Sequence, residues 1–269
     1  MKKTYERHFL DSEITTEEEY YNHLMHIATY QYALKFVKGK SVLDYGCGTG
    51  YGSYLLASVA NKVTGVDISD ESIEYSKNTY SAKNLFFKTI QDLTDEKFDI
   101  ITSFQVIEHV FNVKEFLKQF KKSLNQDGYL LISTPDNTNR LFKFIQKPWN
   151  VYHIKEYSSS SLYNLLNKYF TRVDLLKIGS KSDLVIKEII RTKKQRIITL
   201  PCTLFFYPNF VRVFLLNLQV TLFKMISSLR RSKVPNTTYD FKERYSLQDI
   251  EINKIVSLST DLLAICSEN

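Results

Sequence analysis

The feature that most constrains this chain is a series of alternating glycines, Gly46, Gly48, Gly50 and Gly52, between a β-rich segment (40–45) and a helical pattern. Glycine has no Cβ and adopts positive φ freely, so the backbone can turn tightly and approach a ligand closely. A glycine cluster that follows a strand and opens a helix is typical of the ligand-binding turn of an open α/β sheet. The sequence therefore predicts a strand, a ligand-binding loop and a helix in direct succession.

Strand and helix patterns alternate through the first half of the chain. Thr16 and Glu19 form a capping box for the first predicted helix. The predicted helices cover 16–37, 51–60, about ten residues from 70, 113–124 and 158–166. The predicted strands cover 40–45, 62–67, 84–88, 98–103, 129–133 and 172–178, with a last one within 255–266. This alternation predicts a doubly wound, mostly parallel α/β sheet with ligands at the carboxyl ends of its strands.

An acid two residues before the first glycine separates this loop from a dinucleotide site. Neither frame of the loop supplies the third small residue of G-x-G-x-x-G cleanly. The Asp44 carboxylate would repel a pyrophosphate but would favour an ammonium or sulfonium group. S-adenosylmethionine has both of these cations and no phosphate. The loop therefore predicts an S-adenosylmethionine site.

Two further acids follow the next two predicted strands. Asp67 ends the second strand, where an acid can accept hydrogen bonds from both ribose hydroxyls. Asp92 follows the third strand and is placed to accept from the adenine amino group, although a solvated turn is an open alternative there. The residues predicted to bind the cofactor are Asp44, Tyr45, Gly46, Gly48, Gly50, Tyr51, Asp67, Ile68, Asp92, Leu93 and Phe104.

The segments around these residues resemble the motifs of class I methyltransferases. Residues 42–52 resemble the first motif, 63–69 the second, 98–101 the fourth-strand motif and 124–130 the entry to the fifth strand. The resemblance covers roughly 38–170 and the last strand. It implies a Rossmann-like sheet of seven strands whose last strand is antiparallel.

Candidate catalytic residues follow the fourth strand. Glu108 and His109 fall at the carboxyl edge of the sheet, and His153 lies further along the chain. A poorly acidic hydroxyl needs a general base or a metal before it can be methylated, and His109, assisted by Glu108 and His153, is the predicted base. The alternative is that Glu108 and His109 only cap and pack the loop.

The region from Gln105 to His109 resembles E-x-x-E-H in small-RNA 2′-O-methyltransferases and ubiquinone-pathway O-methyltransferases. Members of those families use these side chains for a divalent metal, and His153 resembles a second histidine of the RNA enzymes. Gln105 stands where the first glutamate is expected, and an amide is a weaker ligand for a hard cation. No metal is therefore assigned, and if one binds, its ligands are Glu108, His109 and His153.

The layout of the chain resembles bacterial methyltransferases found with glycosyltransferases. The resemblance rests on Glu6-Arg7, a helix running into 37–40, Gly50-Tyr51-Gly52, 133–135 and 149–157. It implies O-methylation of a sugar hydroxyl in a surface glycan or its sugar-nucleotide or lipid-linked precursor. A quinone precursor or an RNA 3′ end is an alternative acceptor. The remaining alternative is a methyltransferase-like protein that binds the cofactor without turnover.

A basic, apolar segment interrupts the second half of the chain. The net charge is +7, and ten basic residues stand against one acid between Lys187 and Lys233. An apolar stripe at helical spacing is formed by Val211, Leu215, Leu218, Leu222, Ile226 and Leu229. The residues placed on the other side are Arg212, Asn217, Thr221, Lys224 and Ser228. These polar groups disfavour a membrane span.

Three roles are open for this segment. It is a lid or a homodimer helix, a peripheral membrane contact through 196–233, or a nucleic-acid surface, for which it has few suitable aromatics. The predicted organisation is an N-terminal helical cap (1–40), a methyltransferase domain (41–186 with 246–269) and a helical insertion (187–245). Three scattered cysteines and a charged N-terminus indicate a cytoplasmic protein, at most peripheral at the inner face of the membrane.

Overall fold

The computed structural model of the chain describes residues 14–138, 142, 144–229 and 241–268, of which 226–229 are described by their backbone alone. Glu6-Arg7 and the basic residues Arg230, Arg231 and Lys233, on which two of the expectations rest, lie outside the described residues. The strands are β1 (Ser41–Tyr45), β2 (Lys62–Asp67), β3 (Leu85–Thr89), β4 (Phe98–Phe104), β5 (Leu124–Pro135), β6 (Arg172–Gly179), β7 (Glu251–Asn253) and β8 (Ser259–Ser267).

Eight α-helices accompany these strands in the described ranges. They are α1 (Glu17–Val37), α2 (Tyr51–Ala57), α3 (Asp70–Thr79), α4 (Val113–Ser123), α5 (Ser159–Leu166), α6 (Asp183–Thr199), α7 (Asn209–Leu229) and α8 (Phe241–Arg244). Thr16 accepts from the Glu19 amide, and the Glu19 carboxylate accepts from the Thr16 amide. The capping box predicted for the first helix is therefore confirmed.

The strands form one sheet in the order β3-β2-β1-β4-β5-β8-β6-β7. The first five strands of this order, β3, β2, β1, β4 and β5, run parallel, while β8 is antiparallel to both β5 and β6. The doubly wound, mostly parallel α/β sheet is thus confirmed. The predicted count of seven is one too few, because the short strand β7 adds an antiparallel edge to β6.

Helices cover both faces of the sheet, and alternate strand residues point to opposite faces. Val42 and Ile100 lie in the core beneath α1 and α2, whereas Leu43 and Ile101 lie in the core with α4 and α5. The segment 125–128, directly before the predicted strand 129–133, belongs to β5 in the structure. It is an irregularity in the pairing with β4, since Phe98 pairs with Leu124 and Ile100 with Tyr129.

The basic segment is built into the domain more closely than its sequence indicates. Its first helix, α6, begins at Asp183, so the predicted boundary at 187 falls inside a helix. Lys187 pairs with Glu17 on α1, at 2.7 Å. Arg191 pairs with Glu18 on α1 and with Glu188 on its own helix. Part of the positive charge is therefore neutralised by α1.

The face of α7 that packs on the protein differs from the predicted stripe. Arg212, placed on the polar side from the sequence, is 1% exposed, and Leu216 is buried beside it. Leu218 and Leu222, two members of the predicted apolar stripe, are 45% and 50% exposed. The packed face differs from the stripe because Arg212 finds internal hydrogen-bond partners, which a pattern of hydrophobicity cannot show. Among the described helices, none is long and apolar enough to cross a bilayer.

Candidate active site

The glycine loop leaves β1 in a conformation that needs glycine. Gly46, Gly48 and Gly50 have φ of +81°, +55° and +85°. The amides of Gly46 and Cys47 donate to the carbonyl of Val66 on the adjacent strand, at 2.8 and 3.0 Å. A Cβ placed on Gly48 would meet no atom within 4 Å, so this side of the loop is open to a ligand. The predicted loop geometry therefore agrees with the structure.

Asp67 joins this loop to β2. Its Oδ2 accepts from the Gly48 amide at 3.0 Å, and its Oδ1 accepts from the Ser69 amide at 2.9 Å. Ile68, next to it, is 75% exposed. The acid at the end of the second strand is thus held beside the open part of the loop, as expected for a group that meets a ligand there.

Asp92 lies at the end of the following strand. Its side chain is exposed and accepts from the Thr89 hydroxyl at 2.7 Å, while Leu93 is half-buried against the core. This arrangement leaves Asp92 at the same edge of the sheet as Asp67, because β2 and β3 are paired in parallel up to Asp67 and Thr89.

Asp44 lies beneath the loop. It is fully buried, and its carboxylate accepts from three hydroxyls: Ser53 at 2.6 Å, Thr102 at 2.8 Å and Tyr30 at 3.2 Å. Burial raises the pKa of Asp44 to about 6, although these hydroxyls oppose the rise. A carboxylate held by neutral donors in the interior favours the arrival of a cation.

Tyr30 and Gly52 are site residues that the sequence analysis missed. The Tyr30 hydroxyl lies 3.2 Å from both oxygens of Asp44. A Cβ on Gly52 would come within 2.0 Å of the Tyr30 ring, so only glycine leaves room for this contact. Gly52 was noted as part of the glycine series, but no local pattern connects it with a tyrosine on α1.

The other aromatic candidates divide between two places. The hydroxyl of Tyr51 is buried without a hydrogen-bond partner in the described part of the chain, and its ring centroid lies 5.6 Å from that of Tyr30. Phe104 packs on Tyr30 from below, at 4.9 Å. Tyr45 instead packs on α4, 5.0 Å from Phe120. An unpartnered buried hydroxyl next to Asp44 supports a polar ligand at this point.

Glu108 and His109 belong to a 3₁₀ turn (Ile107–His109) that begins three residues after the end of β4. Glu108 is 1% exposed, and its Oε2 accepts from the Thr134 hydroxyl at 2.9 Å. Its Oε1 lies 4.0 Å from Nε2 of His109. The His109 ring contacts the carbonyl of Tyr152 through Nδ1, at 3.2 Å. Because a carbonyl only accepts, Nδ1 carries the proton and Nε2 of a neutral His109 carries the lone pair.

The structure brings His153 to the same place. The ring centroids of His109 and His153 are 4.8 Å apart, at 77°. Nδ1 of His153 contacts Oε1 of Glu156 at 2.7 Å; because an ionised carboxylate only accepts, Nε2 of a neutral His153 carries the lone pair. Ligand atoms of Glu108, His109 and His153 all lie within 4.8 Å of one another. The three predicted catalytic residues therefore form one cluster.

The side chain of Gln105 contacts β8 and is not part of this cluster. It has a positive φ of 56°, and its amide donates to Oδ1 of Asp261 on β8 at 3.0 Å and to the Ser133 hydroxyl at 3.5 Å. Asp261 is buried, and burial raises its pKa to about 6. The Gln105 amide thus donates to a neighbouring acid, a contact that an ionised glutamate at this position could not make.

A strand-loop-helix cofactor cradle and an acid after the second strand define a Rossmann-like methyltransferase fold. The family model for the methyltransferase domain matches residues 18–169, more than half of the chain. The chain therefore belongs to the methyltransferase-domain family, whose cofactor is S-adenosylmethionine.

Relatives agree with this assignment over the same part of the chain. A protein of Mycolicibacterium smegmatis, named a probable S-adenosylmethionine-dependent methyltransferase, is 31% identical over 151 residues, which are 55% of this chain and 58% of that protein. A ubiquinone biosynthesis O-methyltransferase of Glaesserella parasuis is 31% identical over 163 residues, 56% of this chain and 68% of the relative. The chain spans little more than half the length of the first of these.

Solved structures show the same fold over nearly the whole chain. An S-adenosylmethionine-dependent methyltransferase of Thermotoga maritima, titled a possible histamine N-methyltransferase, superposes with a TM-score of 0.52 at 13% identity, covering 94% of this chain and 95% of the other. The YcgJ protein of Bacillus subtilis gives 0.51 at 14% identity, with 92% and 99% covered.

Proposed function

We propose that this chain is an S-adenosylmethionine-dependent O-methyltransferase whose acceptor is a sugar hydroxyl of a surface glycan or its precursor. The observation that carries the O-methyltransferase part is the His109–His153 pair, both rings of which present Nε2 as an acceptor beside the Glu108 carboxylate. An acceptor hydroxyl must lose its proton during methyl transfer, and such a pair can take it.

The cofactor would be held by the loop and the acids around it. Asp67 fits the ribose hydroxyls, and Asp92 with Leu93 and Ile68 fits the adenine. Asp44 would act on the methionine end from beneath, through its charge, while the buried Tyr51 hydroxyl has an unused hydrogen bond to offer. The cofactor supplies a methyl group that a positive sulfur already activates. The protein then has to align the acceptor and exclude water.

Proton removal falls to His109 in this proposal. Its Nε2 would take the acceptor proton, and the resulting imidazolium would be stabilised by Glu108, whose Oε1 is 4.0 Å away and which is almost fully buried. The Tyr152 carbonyl keeps the ring in the required tautomer. Glu156 does the same for His153.

The acceptor class is supported by two resemblances. The relative named for ubiquinone biosynthesis is an O-methyltransferase, which agrees with a hydroxyl acceptor. The sugar is supported by the layout of the chain around 133–135 and 149–157, and a quinone precursor or an RNA 3′ end is the alternative acceptor.

The direct test is a screen of acceptors with S-adenosylmethionine labelled in its methyl group. Sugar nucleotides, lipid-linked sugars, catechol-type quinone precursors and short RNAs would be compared for methyl incorporation, with His109→Ala and His153→Ala alongside. We expect incorporation into a sugar hydroxyl that falls at least about 100-fold in both variants while cofactor affinity is kept. Cofactor binding without any turnover would instead indicate a binding protein, and unchanged turnover in both variants would reject the base assignment.

A divalent metal at Glu108, His109 and His153 is the second candidate. It is favoured by the three ligand atoms within 4.8 Å and by the hydrogen bonds that fix both imidazoles. A metal there would lower the pKa of the acceptor hydroxyl. Gln105 supplies no fourth ligand of the usual kind, since its amide donates to Asp261. Activity that disappears with a chelator and returns with Mn²⁺ or Zn²⁺ would establish the metal, whereas activity that survives chelation would favour the base.

A peripheral membrane contact through 196–233 would serve a lipid-linked acceptor. Phe205, Phe206, Phe210 and Phe214 are each at least 60% exposed in this region, and the basic Lys193-Lys194 pair is exposed on α6. Sedimentation with anionic vesicles at low salt tests this contact. Dimerisation through the same face, in place of vesicle binding, would show up as a doubled mass in light scattering.

A further inference from the structure

The basic segment places its Arg212 in the interior of the protein. Arg212 on α7 is 1% exposed and is the largest fully buried side chain of the described residues. Among the described residues, its hydrogen-bond partners are one asparagine side chain and four backbone carbonyls. A buried guanidinium is costly unless all of its donors are satisfied, and burial accordingly lowers the pKa of Arg212.

All five N–H donors of Arg212 are used. Nε donates to the side chain of Asn209 at 3.0 Å. Nη1 donates to the carbonyls of Pro148 and Asn150, at 2.6 and 2.9 Å. Nη2 donates to the carbonyls of Val151 and His153, at 3.0 and 3.2 Å. A guanidinium has five such donors in a fixed planar fork, so the loop 148–153 is wrapped around a rigid template.

Of the four carbonyls of residues 150–153, three bind Arg212, and these contacts determine the direction of the fourth. The carbonyls of 150, 151 and 153 turn toward Arg212, whereas that of Tyr152 turns outward and accepts from Nδ1 of His109. The same loop carries His153, whose ring lies against that of His109. The orientation of both histidines therefore depends on the path of this loop.

A second arginine of the segment acts on the adjacent part of the loop. Arg196 on α6 is buried, and its Nη2 lies 3.5 Å from Oε2 of Glu156. The other oxygen of Glu156 accepts from Nδ1 of His153 at 2.7 Å. Both helices of the basic segment thus supply buried cations to the backbone and the carboxylate that hold the histidines.

We propose that Arg212 is a positioning residue for the His109–His153 pair: it fixes the loop 148–153 so that both imidazoles keep their proton on Nδ1 and present Nε2 to the reacting hydroxyl. This proposal rests on the proposed function for its consequence in turnover. Its structural part, the tautomer of the two histidines, can be tested without knowing the methyl acceptor. It gives the basic segment a role inside the enzyme.

The test compares Arg212→Lys and Arg212→Met with Gln219→Met as the matched control. Gln219 lies on the same helix and donates to the carbonyl of Ile198 at 2.9 Å, away from the loop. The readout is ¹⁵N NMR of labelled imidazoles at pH 8, which distinguishes a protonated Nδ1 from a protonated Nε2. The chain has five histidines, and the two of interest are assigned with His109→Ala and His153→Ala.

We expect wild type and Gln219→Met to show protonated Nδ1 at both histidines. In Arg212→Met we expect a mixture of tautomers, a cofactor dissociation constant within about twofold of wild type and turnover reduced on the order of tenfold to a hundredfold. Arg212→Lys keeps the charge with three donors and should lie between the two. If Arg212→Met does not fold, the histidine tautomers of Arg212→Lys decide whether the proposal holds.

Native tautomers in a folded Arg212 variant would overturn the proposal, even if its melting temperature had fallen. Altered tautomers together with normal turnover would instead leave the positioning role in place and reject His109 as the base. The two failures are therefore distinguishable.

Discussion

The amide nitrogen of Gln105 lies 3.0 Å from the buried carboxylate of Asp261, so two residues 156 positions apart share a hydrogen bond at the carboxyl edge of the sheet. An amide can donate to this carboxylate, whereas an ionised glutamate at the same position would repel it. In the sequence Gln105 stands where the resemblance implies a metal-ligating glutamate, and in the structure its amide is a donor to Asp261.

Gln105→Glu should therefore destabilise the protein in a pH-dependent way. At pH 5 one of the two adjacent carboxyls can keep a proton and donate it to the other. At pH 8 both are driven to ionise, and we expect the free energy of unfolding to fall by about 2 kcal/mol relative to wild type. Urea denaturation at the two pH values measures the difference. Gln126→Glu, at an exposed position, is the control, and an equal loss at both pH values would contradict this account.

Cofactor affinity should depend on the ionisation of Asp44. Burial raises the pKa of Asp44 from 3.8 to about 6, and a cation above the loop favours its charged form. Binding should then release a proton, so affinity is full above about pH 7 and weakens as the pH falls through 6. Calorimetric titrations between pH 5 and 8 in buffers of different ionisation enthalpy count this proton. A pH-independent affinity would remove Asp44 from the cofactor site.

The same raised pKa has the opposite consequence for the stability of the free protein. The stability that the protonated Asp44 contributes to the folded protein is complete below about pH 4. It is lost as the pH rises through about 6, because the buried carboxyl must then ionise. Asp44→Asn should remove this loss. Its free energy of unfolding, relative to wild type, should therefore rise by up to about 3 kcal/mol as the pH increases from 4 to 8. It should bind the cofactor at least about tenfold more weakly. Asp174→Asn, at an exposed position on β6, should change neither quantity.

Tyr30→Phe removes one of the three hydroxyls that hold Asp44. We expect a loss of about 1–2 kcal/mol in the free energy of unfolding at pH 8 and a weaker cofactor affinity, since the charged carboxylate loses a donor. Tyr32→Phe is the matched control, because Tyr32 lies on the same helix and contacts Lys35 at 4.1 Å. Equal effects of the two changes would mean that the Tyr30 hydroxyl contributes nothing specific.

Two glycines of the loop should respond differently to alanine. A Cβ on Gly52 would lie 2.0 Å from the Tyr30 ring, so Gly52→Ala should cost about 2–3 kcal/mol and displace that ring from Asp44. Gly48→Ala meets no atom within 4 Å, and its positive φ should cost about 1 kcal/mol. Thermal unfolding gives both values, and the reverse order would contradict the packing described.

The local pattern was sufficient for the order of the elements and the cofactor loop. The capping box at Thr16, the glycine conformations and the acid at Asp67 were all predictable, because each depends on residues that are close in sequence. Strand β7 was missed, since the short segment 251–253 pairs only with β6, which lies about seventy residues earlier in the chain. The burial of Arg212 was predicted wrongly for the same kind of reason, because its partners lie about sixty residues earlier in the chain.

The sequence by itself thus determined the class of fold and the nature of the methyl donor, through hydrophobic periodicity, glycine and charge acting over a few residues. The tertiary structure decided which contacts hold Asp44, Gln105 and the loop 148–153 in place. The Tyr30 hydroxyl under Asp44, the Asp261 carboxylate beside Gln105 and the Arg212 guanidinium within the loop 148–153 are contacts between separate elements. Such contacts depend on where the folded chain brings its buried polar groups together, and no spacing along the sequence encodes that.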